Sequence, residues 1–365
     1  MPDLGIRLQL LAGPTVPVPA PFAVMDALIE LTVTNRDKEI DGFQLKLTLG
    51  RTSGSNYPIL ADGTLDPPNR VIVAVLIGFS LQVLIDGIVT QHQVTPGNRP
   101  GQTVLVVTGE DITRRLDLEE KKRTFENQSD SAIVETILRE YLTYGLVPEV
   151  TSTDDSPSVS DRVPSQRGTD LSYIRELAER NQFVFYIEPT GMPGINTAHW
   201  GKNNRQGTAQ PFLTLNMGPL TNVDEPIAVT FNAMGPEEPQ ISILDPFTKL
   251  AIPVPIPTGF TPSLSGRPAA ALRKTQPTDT ANLSAVQAAL RALTASAEAS
   301  DAVTVTGEVD AVRYGRVLQS RRLVELRGAG EIYDGKYYVR EVTHQIRRGF
   351  YRQTFTLTRE GLGAS

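Results

Sequence analysis

Apolar and polar positions alternate with a period of two along much of this chain, which predicts β-structure. In residues 27–34, Ile29, Leu31 and Val33 share one face, with Glu30, Thr32 and Thr34 on the other. Phe43, Leu45, Leu47 and Leu49 repeat the pattern in residues 42–49. Residues 71–77 are instead a continuous apolar run, as expected for a strand buried on both faces. Residues 81–89 and 102–108 complete a meander, with turn signals at Asp62-Gly63, Pro67-Pro68-Asn69 and Pro96-Gly97-Asn98. Together these strands predict a first antiparallel β-barrel within residues 1–115.

The period then changes. The charged run from Asp117 to Arg123 reads as a solvated helix or connector. Ile133, Ile137 and Tyr141 share a helical face that Val134 and Leu138 widen; Ser129 or Ser131 can cap it, and Gly145 stops it. Leu171, Ile174, Leu177 and Ala178 form a second helical stripe, with Thr169 as cap and Asn181 placed to close the helix in a left-handed conformation. Phe183-Val184-Phe185-Tyr186-Ile187 follows as a strand. Residues 116–195 are thus expected to form a small helix-containing middle domain.

From Leu213 the β character returns. Ile241-Ser242-Ile243-Leu244 and Leu250-Ala251-Ile252-Pro253 flank an Asp245-Pro246 turn, and prolines 253, 255 and 257 confine the second strand to an edge. A Pro-rich loop and an Ala-rich helix, with the stripe Leu283, Val286, Leu290, Leu293, Ala297, make an insertion over residues 253–300. Short strands with Gly- and Asp-containing turns then run to the end. Tyr351, Phe355 and Leu357 share one face of the last strand, and Arg347-Arg348-Gly349-Phe350 makes its hairpin turn. Residues 196–365 are the expected second barrel. The fold class is α+β, mainly β.

Composition narrows the function more than the fold. Forty-one acidic against 35 basic residues leave a net charge of −6, without the basic excess that recruits nucleic acid, so no specific nucleic-acid binding is expected. Cysteine is absent, which removes disulfides and thiolate metal sites, and suits a reducing cytosol. The start, Met1-Pro2-Asp3, lacks the features of a signal peptide, and the longest apolar run, from Val71 to Leu81, is too short for a membrane span. No membrane anchor is expected.

Candidate chemistry is sparse. There is no Gly-x-Ser-x-Gly elbow, Walker loop or His-Glu-x-x-His. The histidines, His92, His199 and His344, are far apart and read as satisfied polar residues in strands or turns. The carboxylate pairs Asp154-Asp155 and Glu237-Glu238 read as solvated loop residues, although sequence leaves a folded glycosidase-type pair open. Trp200 beside His199 reads as packing rather than a stacking site. No catalytic, cofactor-binding or metal residue is assigned, and no cofactor.

Three stretches carry a family resemblance: Gln166-x-Gly168-x-Asp170 with Arg180, Asn181, Phe183 and Phe185; the Asp245-Pro246-Phe247-Thr248-Lys249 hairpin; and the turn order from Val303 to Ile346, including Tyr333 to Val339. Gln182 stands where a glycine is expected. The chain resembles phage late control protein D, the baseplate hub family of contractile tails and contractile injection systems. The resemblance implies two tube-like barrels per chain and a homotrimer, which presents quasi-sixfold symmetry between a sixfold inner tube and a threefold spike. It also implies a structural, non-enzymatic hub, assembled in the cytoplasm and carried in a virion or injection particle. Implied partners are a separate spike protein, an inner tube or tube-initiator protein, a tape-measure protein and baseplate wedge proteins. A tail-tip cell-wall hydrolase and a single-ring tube or baseplate adaptor remain as alternatives.

Overall fold

The computed structural model describes residues 6–50, 57–99, 101–153, 163–203, 205, 207–240, 242–244, 251–253, 263–275 and 301–364. The protein is mainly β. Among the described residues, the first region holds seven strands: β1 (Arg7–Gly13), β2 (Val18–Pro19), β3 (Leu28–Arg36), β4 (Gly42–Thr48), β5 (Arg70–Ile77), β6 (Ser80–Thr95) and β7 (Val104–Asp111). Period-two strands bury one face, as Leu31, Val33, Phe43, Leu45 and Leu47 do. The apolar run of β5 is buried along almost its whole length.

The middle region contains β8 (Glu120–Thr124), a helix at Asp130–Arg139, β9 (Leu146–Val150), β10 (Ser165–Thr169), a helix at Asp170–Asn181, β11 (Val184–Pro189) and β12 (Asn196–Gly201). Two sequence expectations change here. The charged run after Asp117 enters a strand, not a helix: β8 pairs with β10 from Glu120↔Thr169 to Thr124↔Ser165. Its alternating exposed and half-buried side chains suit a two-stranded ribbon with one solvated face. The second helix is closed by Gln182, not Asn181; Gln182 takes the left-handed conformation (φ 58°, ψ 38°) that a glycine usually supplies. Asn181 stays helical because its side-chain amide is held by Asp130 (2.7 Å) and the Leu177 carbonyl (2.8 Å). The caps follow the sequence: Ser129 accepts from the Ala132 N–H, and Thr169 from that of Ser172.

The third region holds β13 (Gln210–Thr214), β14 (Val223–Phe231), β15 (Glu237–Pro239), β16 (Ser242–Leu244), β17 (Ala251–Pro253), β18 (Ser265–Pro268), β19 (Arg273–Thr275), β20 (Val303–Asp310), β21 (Leu323–Arg327), β22 (Gly335–Arg347), β23 (Phe350–Arg359) and β24 (Gly361–Ala364). β16 and β17 pair as the expected antiparallel hairpin, Ile243↔Ile252. The Asp245-Pro246 turn, most of the Pro-rich loop and the Ala-rich helix lie outside the described residues.

The first and third regions share one 13-stranded sheet, in the order β14-β20-β23-β22-β3-β4-β7-β6-β5-β1-β2, with β21 and β13 branching from β22. The joint is the pairing of β22 with β3, from Glu341↔Arg36 to Ile346↔Leu31. β22 is long enough, at 13 residues, to pair with β21 through its first turn of chain and with β3 beyond it. Among the described residues, three large apolar clusters lie around this frame, besides a small one of Leu264, Leu323 and Tyr338. Of the large ones, one is built on β1 and β3–β7 and takes in Ile346 and Tyr351; one fills the middle region around Trp200; one lies between β13, β14 and β20–β23.

Candidate functional site: a buried polar junction of three regions

Where the three regions meet, the core turns polar. β3 ends at Asn35 and Arg36, and the loop that follows turns back at Asp41. One Asp41 oxygen accepts from the Arg36 N–H (2.7 Å), the other from the Asn35 amide (3.0 Å). Its own N–H donates to Asp111 at the end of β7 (2.9 Å). Arg321 reaches the same carboxylate from the third region with two hydrogen bonds, 3.1 and 3.0 Å. Its guanidinium also lies 4.6 Å from the ring centre of Tyr186 on β11, so all three regions contribute.

Arg321 adopts φ +61°, a left-handed conformation that costs a side-chain-bearing residue about 1–2 kcal/mol. A strained backbone persists only where its surroundings over-determine it. Here the surroundings are the Asp41 fork, the Tyr186 ring and a backbone hydrogen bond from the Arg321 N–H to Val339 (2.9 Å).

His344 extends the network into β22 and β23. Asn35 spends its amide hydrogens on Asp41 and the Leu84 carbonyl (3.2 Å), so its oxygen is an acceptor for His344 Nε2 (3.0 Å). His344 Nδ1 then accepts from the Tyr351 hydroxyl (2.9 Å), with the Gln353 amide nitrogen 3.3 Å away. That fixes a neutral imidazole, protonated on Nε2. Burial alone moves its pKa down to about 3. Asp111 moves the other way: burial, then the neighbouring Asp41 charge, lift it to about 7. For Arg321, burial opposes the charge, but Asp41 more than offsets this and the pKa is raised.

A second junction joins the first and middle regions. Arg70 of β5 forks onto Asp86 of β6 (2.7 and 2.6 Å), and also donates to the Tyr144 carbonyl (2.8 Å). Asn196 of β12 donates to the same Asp86 (2.8 Å). Inside the middle region, Asp170 is fully buried and collects Lys121 (2.6 Å), Tyr141 (2.7 Å) and Gln166 (2.7 Å). Burial would raise its pKa; those three donors outweigh burial and hold it below the usual carboxylate range.

The residues singled out in the sequence are dispersed. His92 contacts the Leu65 carbonyl, and His199 approaches Glu149 (3.3 Å) and stacks on Tyr186. Trp200 is buried, donates to the Ile174 carbonyl (3.2 Å) and meets Phe183 edge-on: packing, as expected. Glu237 and Glu238 pair with Arg273 and Lys274 across β15 and β19. Asp154 and Asp155 lie outside the described residues. Among the described residues, no group of three His, Asp or Glu side chains could hold a metal, and no helix is long and apolar enough to cross a membrane. Of the junction, only His344 stood out in the sequence. Asn35, Asp41, Asp111, Arg321 and Gln353 carry no local signal, because their partners are remote in the chain.

Comparison with known proteins points to one architecture. The chain shares its fold with a tail protein from Neisseria meningitidis MC58, over 98% of both chains, at 12% identity and TM-score 0.64. The 43 kDa tail protein of prophage MuSo2 from Shewanella oneidensis is similar over 98% of this chain and 99% of its own, at 14% identity and TM-score 0.66. An E. coli protein, a type VI secretion component with structural similarity to the T4 bacteriophage tail proteins gp27 and gp5, matches 93% of this chain and 76% of its own (12% identity, TM-score 0.57). A family model described as the Alg8 N-terminal domain matches residues 21–195, less than half of the chain, and so does not place it in that family. No curated protein sequence matches.

Proposed function

We propose that the protein is the structural baseplate hub of a contractile tail or injection machine: a trimeric adaptor between a sixfold inner tube and a threefold spike. The observation that carries this reading is whole-length likeness of fold to tail proteins. A second feature supports it. Among the described residues, the main path of the 13-stranded sheet ends at β2 and β14, with β13 ending its side branch, and exposed apolar side chains accompany the two main-path edges: Val16, Val18 and Phe22 at one, Leu220, Phe231 and Met234 at the other. Open, apolar strand edges are sites for pairing with another chain. Two different edges on one sheet favour a head-to-tail contact, which closes into a ring when the rotation allows.

In this reading residues 1–115 and 196–365 are the two tube-like barrels, zipped by β3 and β22, and residues 116–195 are the outer middle domain. The buried Arg321–Asp41 fork holds the barrels at one angle, as a rigid ring segment requires. The partners would be further copies of this chain, a spike, a tube or tube-initiator protein, the tape-measure protein and wedge proteins. Its place would be the baseplate of a particle assembled in the cytoplasm. No catalytic role is assigned.

The deciding experiment is the solution mass by light scattering, alone and with a candidate spike protein. A species near three copies of the 39.8 kDa chain, about 119 kDa, supports the hub. A chain that stays monomeric at high concentration and in the presence of spike overturns it. Clearing of cell wall on a zymogram would favour a hydrolase instead.

A further inference from the structure

The Nε–H of Arg321 is buried and has no acceptor among the described residues, although both terminal nitrogens are bonded to Asp41. Leaving a buried donor unmatched costs about 1–3 kcal/mol, and more for a charged group. Arg321 also lines a cavity of about 40 Å³, together with Asn35, Asp41, Glu188, Ser320 and His344. A water molecule needs roughly 10–15 Å³ of such space and two to four polar partners, so the cavity has room for two or three.

We infer that this cavity is a binding site for ordered water, one molecule of which accepts the Nε–H of Arg321. Charge selects water over an anion. The walls already carry two carboxylates, Asp41 and Glu188, against the single guanidinium of Arg321. A chloride or a carboxylate would face both, whereas water accepts from Arg321 and donates to a carboxylate oxygen. Since Glu188 belongs to β11, the water extends the junction from the third region to the middle region. Glu188 is held from outside by Arg322 (3.1 Å), which keeps its carboxylate at the cavity rim. This site stands on the junction geometry and is independent of the tail assignment.

The test is a high-resolution crystal structure of the full chain grown in sodium bromide. The expected result is a density peak about 2.7–3.2 Å from Arg321 Nε with no anomalous signal. A bromide peak there overturns the assignment in favour of an anion site; an Arg321 whose Nε–H has turned onto a protein acceptor, with no density in the cavity, overturns it outright. Arg321→Lys can keep the ion pair but removes the Nε–H. Loss of the peak in that variant supports the assignment, and an unchanged peak counts against it. The wild-type structure decides the matter even if the variant does not fold.

Discussion

Arg321 grips both carboxylate oxygens of Asp41, at 3.1 and 3.0 Å, across 280 residues of chain. The pair bridges the first and third regions beside the β3–β22 joint. A fork onto a carboxylate fixes angle as well as distance, so this contact sets how the two halves of the sheet are carried relative to each other.

Removing one partner strands the other charge in the core, which typically costs about 3–5 kcal/mol. Arg321→Met is expected to lose that much in urea unfolding. Asp41→Asn is also expected to destabilise, because Asp41 serves Arg36 and Asn35 too. The double variant should lose clearly less than the sum of the two, since neither charge is left alone. Strict additivity would mean that the pair is not coupled.

Asp111 gives the junction one sign of pH dependence. Its folded pKa, about 7, lies above the ordinary carboxylate value of 3.8. The folded state therefore holds the proton more tightly, and the contribution is fully present below about pH 4 and lost as pH rises to about 7. Asp111→Asn should remove that decline. The check is the urea midpoint at intervals from pH 4 to 8 for both proteins; identical slopes would exclude Asp111 as the source.

His344 acts in the opposite sense. Burial pulls its folded pKa to about 3, below the ordinary 6.5. The unfolded chain takes up the proton first, so stability present above pH 6.5 is lost as pH falls toward 3. His344→Gln is expected to cost stability at pH 7.5, through the contacts with Asn35 and Tyr351, yet to flatten the profile below pH 6.5. The same titration series reads both effects.

How much of this was legible beforehand follows from the range of each interaction. The alternation of Phe43, Leu45 and Leu47, the caps at Ser129 and Thr169 and the continuous burial of β5 are local, and the sequence states them directly. The motif Gln166-x-Gly168-x-Asp170 was visible, but its physical basis was not. Asp170 needs Lys121 and Tyr141, which precede it by 49 and 29 residues. The β3–β22 pairing and the Arg321–Asp41 fork join residues hundreds of positions apart, and no periodicity encodes a partner at that distance. The strand β8 has no local signal for a related reason: its charged residues are tolerated because β10 covers one edge and solvent one face.

The step Ile85-Asp86-Gly87-Ile88 within β6 has two jobs in the structure. Asp86 holds Arg70, and Gly87 lets β7 approach: a Cβ at position 87 would lie 2.1 Å from the Glu110 carbonyl oxygen. That obstacle is backbone and cannot rotate away. Gly87→Ala is expected to destabilise by more than about 3 kcal/mol, beyond the range of most single substitutions, whereas Gly101→Ala, with no atom near its Cβ but a φ of +78°, should cost only the milder backbone strain. Thermal unfolding of the two variants measures the difference.

The β2 and β14 edges make the sharpest prediction for assembly. A lysine on an exposed edge strand discourages strand pairing while leaving the monomer nearly unchanged. Val18→Lys spoils the β2 edge and Phe231→Lys the β14 edge, at positions 59% and 42% exposed. If copies join head to tail, each variant alone should fall to the 39.8 kDa monomer with a thermal midpoint close to that of the wild type. A mixture of the two should then form dimers of about twice that mass. The intact β2 edge of the Phe231 variant can meet the intact β14 edge of the Val18 variant, but the spoiled edges stop further growth. A contact between like edges predicts the reverse: one variant stays paired by itself, and mixing creates nothing new. Light scattering of the three samples separates the two arrangements.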